Sequence, residues 1–332
     1  MLIPGRHAAR PGSKAVCVVS DRDIPDGVAP TLQHIRAGII AYAAGDALGV
    51  PWEGRTPDQV PWEKLEELPA RGDWPQGATS DDTEQLLLVA QYLVQANGQV
   101  DERDFLARLA KALPTMRGAG PTTQAAVRRF LATGELQAIE GGSIGAAMRA
   151  LPFGWATPVA AAARRRELTI RLSRTTHGAP EAVACAGVVA EMAAWAAEQH
   201  SISAVVAAGV REAEHLAGLY ALRPAALQKL RQAAGGHWSP STAKLAADAV
   251  TTLASVLHVL REATGLAMAM KHTVALGGDT DTAAAIVGGL LGCQAENVEA
   301  EIPWLPRVAL PDSELIDAAA TGLHDLRRGA YS

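Results

Sequence analysis

Apolar residues recur along this chain at helical spacing, and short breaks rich in glycine and proline separate the periodic stretches. After residue 81, for example, Leu86, Val89, Ala90 and Leu93 fall on one face of a 3.6-residue period. The same pattern predicts helices over about 32–45, 102–113, 122–133, 181–198, 202–216, 242–260, 282–293 and 312–328. Alternating strand patterns are almost absent, so the predicted fold class is all-α.

The breaks between these helices are short, and no Pro- or Ser-rich linker divides the chain. A repeat of fixed period is also absent, which disfavours a solenoid. We therefore predict a single all-α domain over residues 30–332. Residues 1–29 lack helical periodicity and are predicted to form a loosely ordered N-terminal extension.

Two acidic turns, far apart in the chain, each open an apolar helical run. The first, 79–83, carries Asp81 and Asp82, and the second, 277–282, carries two further aspartates. If folding brings the turns together, repulsion would keep several carboxyl groups protonated unless cations neutralise them. Mg²⁺ and Mn²⁺ take oxygen ligands from Asp, Ser and Thr, the residue types that both turns offer.

A plainer interpretation is that each turn only caps a helix, since Asp, Ser and Thr satisfy the free N–H groups there. We expect capping as well. One such side chain is enough for a cap, however, and each turn carries two carboxylates with flanking hydroxyls. The sequence therefore favours a site for two divalent cations.

Composition limits the kind of partner. The chain has 332 residues, 48% of them hydrophobic, a net charge of −5 and a pI near 6.0. These values give no electrostatic reason to expect a nucleic-acid-binding patch or an anionic membrane. The one basic run, Arg164 to Arg166, is interpreted as a solvated surface. We expect a monomer, although the sequence does not determine the oligomeric state.

The cellular compartment is predicted from two features. Cys17, Cys185 and Cys293 are odd in number and widely spaced, which is typical of a reducing compartment. The N-terminal stretch lacks an apolar run of signal-sequence length, and no stretch reaches the roughly 18 apolar residues of a membrane span. We expect a cytoplasmic protein.

Three further segments carry candidate chemistry. Glu53 lies on a bend after a glycine-containing helix end, where a solvated loop residue is the alternative. The run 141–145 supplies consecutive backbone N–H groups, as a phosphate-binding loop would, although a glycine run alone is weak evidence. His177 lies on a turn, where it could contact a ligand or be structural.

Together these segments resemble the ADP-ribosylglycohydrolase family, which includes the dinitrogenase-reductase-activating glycohydrolases. The resemblance runs from about Ile35 to Leu326. It rests on six motifs in matching order, which are Gly45-Asp46-Ala47-Leu48-Gly49 with Glu53, Ser80-Asp81-Asp82-Thr83, Gly145-Ala146-Ala147-Met148-Arg149, Thr176-His177, Gly278-Asp279-Thr280-Asp281-Thr282 and Ile302-Pro303.

The resemblance implies an orthogonal multi-helix all-α fold with two Mg²⁺ or Mn²⁺ ions below an ADP-ribose cleft. It implies the metal ligands Ser80, Asp81, Asp82, Asp279, Asp281 and Thr282. It also implies ADP-ribose contacts at Gly118, Gly120, Gly142, Ser143, Gly145, Met148 and His177. Ser80 replaces the usual Thr and keeps the hydroxyl, whereas Ile144 stands where many members have Asn.

The implied activity is hydrolysis of the glycosidic bond between ADP-ribose and a modified protein or nucleic acid. Glu53, Asp81 and Asp82 are the candidate catalytic residues, with Glu53 as a gate and general acid or base. Members that act on arginine-linked ADP-ribose carry an Asp where this chain has Gly118. The adjacent Arg117 would also repel a guanidinium group, so we expect O-linked substrates to be preferred.

Two alternatives belong to other functional classes. A non-catalytic ADP-ribose-binding or structural protein would be expected to have lost metal ligands, and this chain retains all six. A binuclear phosphoesterase acting on nucleotides would also use an oxygen-rich metal site, but it normally recruits histidine ligands. Neither acidic turn has an adjacent histidine.

Overall fold

A computed structural model describes residues 31–241 and 245–329, and these contain fifteen α-helices and no β-strand. The helices are Leu32–Gly49 (α1), Asp81–Gln95 (α2), Glu102–Ala112 (α3), Pro121–Thr133 (α4), Gly145–Met148 (α5), Leu151–Trp155 (α6), Ala162–Ser173 (α7), Pro180–Ala197 (α8), Ile202–Leu219 (α9), Pro224–Ala234 (α10), Ala249–Glu262 (α11), Leu266–Ala275 (α12), Thr280–Gly292 (α13), Val298–Glu301 (α14) and Ser313–Gly329 (α15). The all-α prediction is confirmed. The predicted extension, 1–29, lies outside the described residues.

Most predicted helices are present within a few residues of their expected ends. The exception is the run 242–260, because the helix begins only at Ala249, where the Asp248 side chain accepts hydrogen bonds from Val250 N and Thr251 N. An Asp in this position ends the preceding segment by offering the backbone a cap. The pattern also missed α7, α10 and α12 and the short helices α5, α6 and α14.

The centre of the fold is the antiparallel pair α1 and α13, which approach each other through glycines. A Cβ atom on Gly49 would lie 2.4 Å from Asp281 Cα, and one on Gly45 would lie 2.2 Å from Ala284 O. At the other end, a Cβ on Gly288 would lie 2.3 Å from Ala41 O. The two helices therefore touch backbone to backbone, and this contact brings the end of α1 to the start of α13.

The basic run is not a solvated surface, because it forms part of α7 and binds neighbouring helices. Arg165 is buried and pairs with Glu191 of α8, while Arg166 Nε donates to Glu212 of α9 at 2.7 Å. A helix turns about 100° per residue, so consecutive arginines reach different partners. The sequence interpretation failed because those glutamates lie outside the local pattern.

The described residues include two of the three cysteines. Cys185 and Cys293 are buried free thiols, and Cys17 lies outside the described residues. No helix in the described part of the chain is long and apolar enough to cross a membrane.

Candidate active site

The first acidic turn is fixed by hydrogen bonds to Asp46, a buried carboxylate in the last turn of α1. Asp46 Oδ1 accepts from Ser80 Oγ at 2.8 Å, and Oδ2 accepts from Ser80 N at 3.0 Å. Oδ2 also accepts from Thr83 N at 3.1 Å and Thr83 Oγ1 at 2.5 Å. Ser80 caps α2 at the same time, accepting from Asp82 N at 3.1 Å. Asp46 thus fixes the turn that presents Asp81 and Asp82.

The second acidic turn is tied to the end of α1 and to the bend that follows it. Thr280 Oγ1 donates to Gly49 O at 2.8 Å. Gly278 N donates to Arg55 O at 2.9 Å, and Gly278 O accepts from Gly54 N at 2.7 Å. Gly278 has a φ of +80°, a left-handed conformation that favours glycine. The start of α13 is therefore anchored on both sides.

The fold brings the two acidic turns together, as the sequence predicted. The charge of Asp279 contributes to the raised pKa of Asp82, after burial and the charges of Asp46 and Asp81. Thr282 also lies within hydrogen-bonding reach of Asp82. Residues that are far apart in the sequence thus share one small volume.

Burial and crowding oppose ionisation of these carboxyl groups. Burial, and then the charge of Asp46, raises the pKa of Asp81 to about 7. Burial, followed by the charges of Glu53 and Asp82, holds the pKa of Asp281 well above its ordinary value. Burial raises the pKa of Asp46 to about 6 even though its hydrogen bonds favour the charged form. The site would therefore gain stability from added positive charge.

Within residues 31–241 and 245–329, no Lys, Arg or His forms a salt bridge with any aspartate of this cluster. In the same residues no three acidic, His or Cys side chains already converge on one point in ligand geometry. Asp81 Oδ2 accepts from Gln85 Nε2 at 2.6 Å, and Asp281 Oδ1 accepts from Thr282 N at 3.0 Å. The oxygen-only donor set fits a hard divalent cation.

Glu53 lies beside this cluster, at the end of the 3₁₀-helix Val50–Trp52. Its Oε2 accepts from Arg71 Nη1 at 2.5 Å, and both side chains are about one-third exposed. The Arg71 guanidinium also stacks over the Trp74 ring at 5.2 Å. The charge of Glu53 acts on Asp81, Asp279 and Asp281, which places its carboxylate next to the acidic turns.

Gly118 lies against the first acidic turn. A Cβ atom there would be 3.4 Å from Asp81 Oδ1 and 2.9 Å from the Trp74 ring, and its φ of +86° favours glycine. The adjacent Arg117 accepts from Asp81 N through its carbonyl at 2.7 Å. A Cβ on Gly120 would meet nothing within 4 Å, so this glycine borders open space.

The glycine-rich run is fastened by its carbonyl groups. Glu140 O, Gly141 O and Gly142 O accept from Gly178, Ala179 and Ala249. In the described part of the chain, the N–H groups of Ser143, Ile144 and Gly145 donate to no protein acceptor. Free, consecutive donors on a fixed loop suit an anionic ligand.

His177 is fully buried behind this loop rather than exposed on a turn. Its Nε2 lies 3.0 Å from Ser143 Oγ and would be 2.9 Å from a Cβ on Gly145. Any influence of His177 on a ligand must therefore pass through Ser143. Met148 is also buried, and its carbonyl accepts from Tyr42 Oη at 2.7 Å.

Sequence reasoning missed four buried polar residues of the site, which are Tyr42, Asp46, Gln85 and Arg149. Asp46 and Arg149 belong to motifs that carry the family resemblance, but no role was assigned to them. An ionisable residue among small apolar neighbours, as in Ala43-Ala44-Gly45-Asp46-Ala47, was the available signal.

The chain is similar to known proteins. The model of the ADP-ribosylglycohydrolase family matches residues 28–332. The ADP-ribosyl-[dinitrogen reductase] glycohydrolase of Rhodospirillum rubrum is 28% identical over 287 residues, covering 83% of this chain and 90% of that protein. An uncharacterized protein of Archaeoglobus fulgidus is 27% identical over 309 residues, covering 89% of this chain and 97% of that protein.

The fold also matches a solved structure. An ADP-ribosylglycohydrolase-related protein complex superposes with a TM-score of 0.74 at 29% identity, covering 89% of this chain and 98% of that chain.

Proposed function

This chain belongs to the ADP-ribosylglycohydrolase family, and from that premise we propose that it is a divalent-metal-dependent hydrolase that releases ADP-ribose from a modified acceptor. Membership supports hydrolysis of ADP-ribose linkages. The observation that carries the metal requirement is the meeting of two buried acidic turns without a paired cation in the described residues. A family member that only binds ADP-ribose would have no need to maintain so repulsive a cluster.

The proposed metal ligands are those named from the sequence, namely Ser80, Asp81, Asp82, Asp279, Asp281 and Thr282. The structure supports them because their oxygens lie close together and short of positive charge, with Asp279 half-buried and the other five residues buried. Mg²⁺ and Mn²⁺ match this donor set. The chemistry that two such cations supply is Lewis acidity toward the ribose hydroxyls and toward water.

The chain's own residues would divide the remaining work. Asp81 and Asp82 would bind the cations in a fixed place, because Asp46 accepts hydrogen bonds from Ser80 and Thr83 on either side of them. Glu53 is about one-third exposed at the end of the 3₁₀-helix Val50–Trp52 and is proposed as the general acid and base. It would take a proton from the attacking water and return one to the acceptor oxygen as the bond to the anomeric carbon breaks.

The proposed ligand surface joins the acidic turns to the loop 141–145. Gly118 borders Asp81 on one side, and the free N–H groups of Ser143 and Gly145 would receive the diphosphate. Gly120 and Gly142 leave open space along this surface, since a Cβ on either would have no contact shorter than 3.9 Å.

An oxygen-linked acceptor is proposed in preference to an arginine-linked one. Gly118 offers no carboxylate beside Asp81 to meet a guanidinium leaving group. Burial raises the pKa of Glu84, and the positive charge of the neighbouring Arg117 lowers it. Glu84 therefore already neutralises part of the Arg117 charge. The positive charge of Arg71 is likewise paired, with Glu53, so the absence of a carboxylate at Gly118 is the observation that supports the preference.

A substrate panel tests this proposal. The protein is incubated with Mg²⁺ and equal concentrations of ADP-ribose linked through serine, arginine, nucleic acid and ribose polymer, and free ADP-ribose is followed. We expect the oxygen-linked forms to be released faster. A clear preference for ADP-ribosyl-arginine would overturn the proposed oxygen-linked preference. No release from any substrate would overturn the proposed hydrolase activity.

A further inference from the structure

A buried chain of hydrogen bonds connects the first acidic turn with the glycine-rich loop. Gln85 Nε2 donates to Asp81 Oδ2 at 2.6 Å, and Gln85 Oε1 accepts from Arg149. On the other side, Arg149 donates to Thr176 Oγ1, which lies 2.8 Å from His177 Nδ1. His177 Nε2 then lies 3.0 Å from Ser143 Oγ. Four side chains thus link a proposed metal ligand, Asp81, to a proposed anion-binding residue, Ser143.

Arg149 occupies the middle of this chain and is buried. In the described residues its guanidinium forms no salt bridge with a carboxylate, and its polar contacts are the two neutral groups on either side. Its face also lies over the Phe105 ring at 5.3 Å. Burying a cation without a paired carboxylate costs folding free energy, so a neutral side chain would serve a purely structural role better.

The chemistry of the groups limits the direction of these hydrogen bonds. A guanidinium only donates, so Thr176 Oγ1 accepts from Arg149. A hydroxyl oxygen can accept a second hydrogen bond, so the 2.8 Å contact with His177 Nδ1 allows either direction, and the donor order inferred here has Thr176 donating to Nδ1. Burial, and then the charge of Arg149, lowers the pKa of His177 to about 3, so the imidazole is neutral. Its one hydrogen is therefore on Nε2 and points to Ser143 Oγ. The Ser143 hydroxyl is left to donate, either to Thr122 Oγ1 at 3.3 Å or to a ligand.

The same reasoning applies on the metal side. Gln85 Oε1 accepts from Arg149, so its amide hydrogens face Asp81 and hold Oδ2. The other oxygen, Oδ1, is the one that lies toward Gly118. If the Gln85 amide were flipped, its oxygen would face the Asp81 carboxylate and its N–H groups would face the Arg149 guanidinium, so neither hydrogen bond could form. The arginine thus determines which oxygen of Asp81 remains free.

We propose that Arg149 is a positioning residue that orients two separated groups of the site at once, Asp81 for cation binding and the Ser143 hydroxyl for donation to a phosphate oxygen. The inference rests on the proposed function for the identity of the two ligands. It adds that one buried cation, in contact with neither ligand, sets the hydrogen-bond direction at both.

Arg149 has a metal arm, through Gln85 to Asp81, and a loop arm, through Thr176 and His177 to Ser143. Variants that remove the hydrogen bonds of one arm at a time test whether Arg149 orients both groups. Gln85→Met removes only the metal arm, and we expect about tenfold weaker Mg²⁺ binding, since partners of metal ligands typically contribute tenfold or more. Thr176→Val removes only the loop arm and should weaken ADP-ribose binding about tenfold in the presence of chelator. Thr176→Ser keeps the hydroxyl and is the matched control, with both affinities within about threefold of wild type.

Arg149→Lys tests the branch point itself, because an ammonium lacks the planar fork that reaches both neighbours. We expect Mg²⁺ and ADP-ribose to bind about tenfold more weakly, each titrated alone by calorimetry. A variant that folds with unchanged thermal stability and loses only one affinity, or neither, would overturn the proposal.

The tautomer of His177 provides a test that needs no folded Arg149 variant. In the wild-type protein with ¹⁵N-labelled histidine, long-range ¹⁵N–¹H spectra should show His177 as the neutral Nε2–H tautomer, assigned by its loss in His177→Gln. An Nδ1–H tautomer or an imidazolium would overturn the donor order. Neither this spectrum nor the Mg²⁺ titration depends on turnover, so an inactive protein would refute the proposed function without touching this inference.

Discussion

The contact between Gly49 and the second acidic turn offers a sharp test of how the site is built. Gly49 ends α1, and a Cβ atom there would lie 2.4 Å from both Asp281 Cα and Asp281 N. These are backbone atoms of α13, which no side-chain rotation can move away. Gly49→Ala should therefore push the start of α13, and with it Asp281, away from Asp82.

The size of the effect follows from the overlap. Non-bonded carbon atoms rest at about 3.5–4.0 Å, so the two helices must separate by roughly 1 Å. Overpacking of this kind costs about 1–3 kcal/mol of unfolding free energy, which in a chain of this size lowers Tm by roughly 1–4 °C. Metal sites tolerate displacements of only about 0.2 Å, so Mg²⁺ affinity should fall at least about tenfold.

Gly218→Ala is the matched control. Gly218 also lies in the last turn of an 18-residue helix, α9, but a Cβ there would meet nothing within 4 Å. Its Tm should hold or rise slightly, with Mg²⁺ affinity unchanged. Thermal unfolding in chelator and calorimetric Mg²⁺ titration provide both readouts. If Gly49→Ala binds Mg²⁺ as tightly as Gly218→Ala, the backbone contact does not position the acidic turn.

Three further outcomes are expected. Asp281→Asn removes one charge from a crowded cluster, so it should leave Tm in chelator unchanged or higher while losing nearly all turnover; a large loss of Tm would make Asp281 structural. Glu53→Gln should bind ADP-ribose within a few-fold of wild type yet hydrolyse its substrates at least about a hundredfold more slowly, whereas equal loss of both would make Glu53 a binding residue. Mg²⁺ at about a hundred times its Kd should stabilise the folded protein by about 2.7 kcal/mol, measured as a rise in Tm that Asp82→Asn abolishes.

The sequence predicted nine of the fifteen described helices and named both acidic turns, because helical periodicity and clustered carboxylates are local features. Their meeting is not local. It depends on the glycine contacts between α1 and α13, such as Gly45 against Ala284, which no helix pattern specifies. The single domain over 30–332, the monomeric state and the cytoplasmic location stay predictions.

Buried polar residues were the hardest to interpret. Asp46 accepts its hydrogen bonds from Ser80 and Thr83, more than thirty residues later in the chain, so its role could not be seen from its neighbours. His177 comes directly after the turn 174–176, and its burial follows from packing against Ser143 and Gly145. Arg165 looked like a surface residue because its partner, Glu191, belongs to another helix.

Release of ADP-ribose with and without divalent metal tests the central claim most directly. Wild-type protein is stripped with chelator, divided, and assayed on serine-linked ADP-ribosyl peptide with Mg²⁺, with Mn²⁺ and with neither, beside Asp82→Asn under the same conditions. We predict turnover only in wild type with added metal. Equal rates of release by the stripped wild-type protein and by the metal-loaded one would contradict the account.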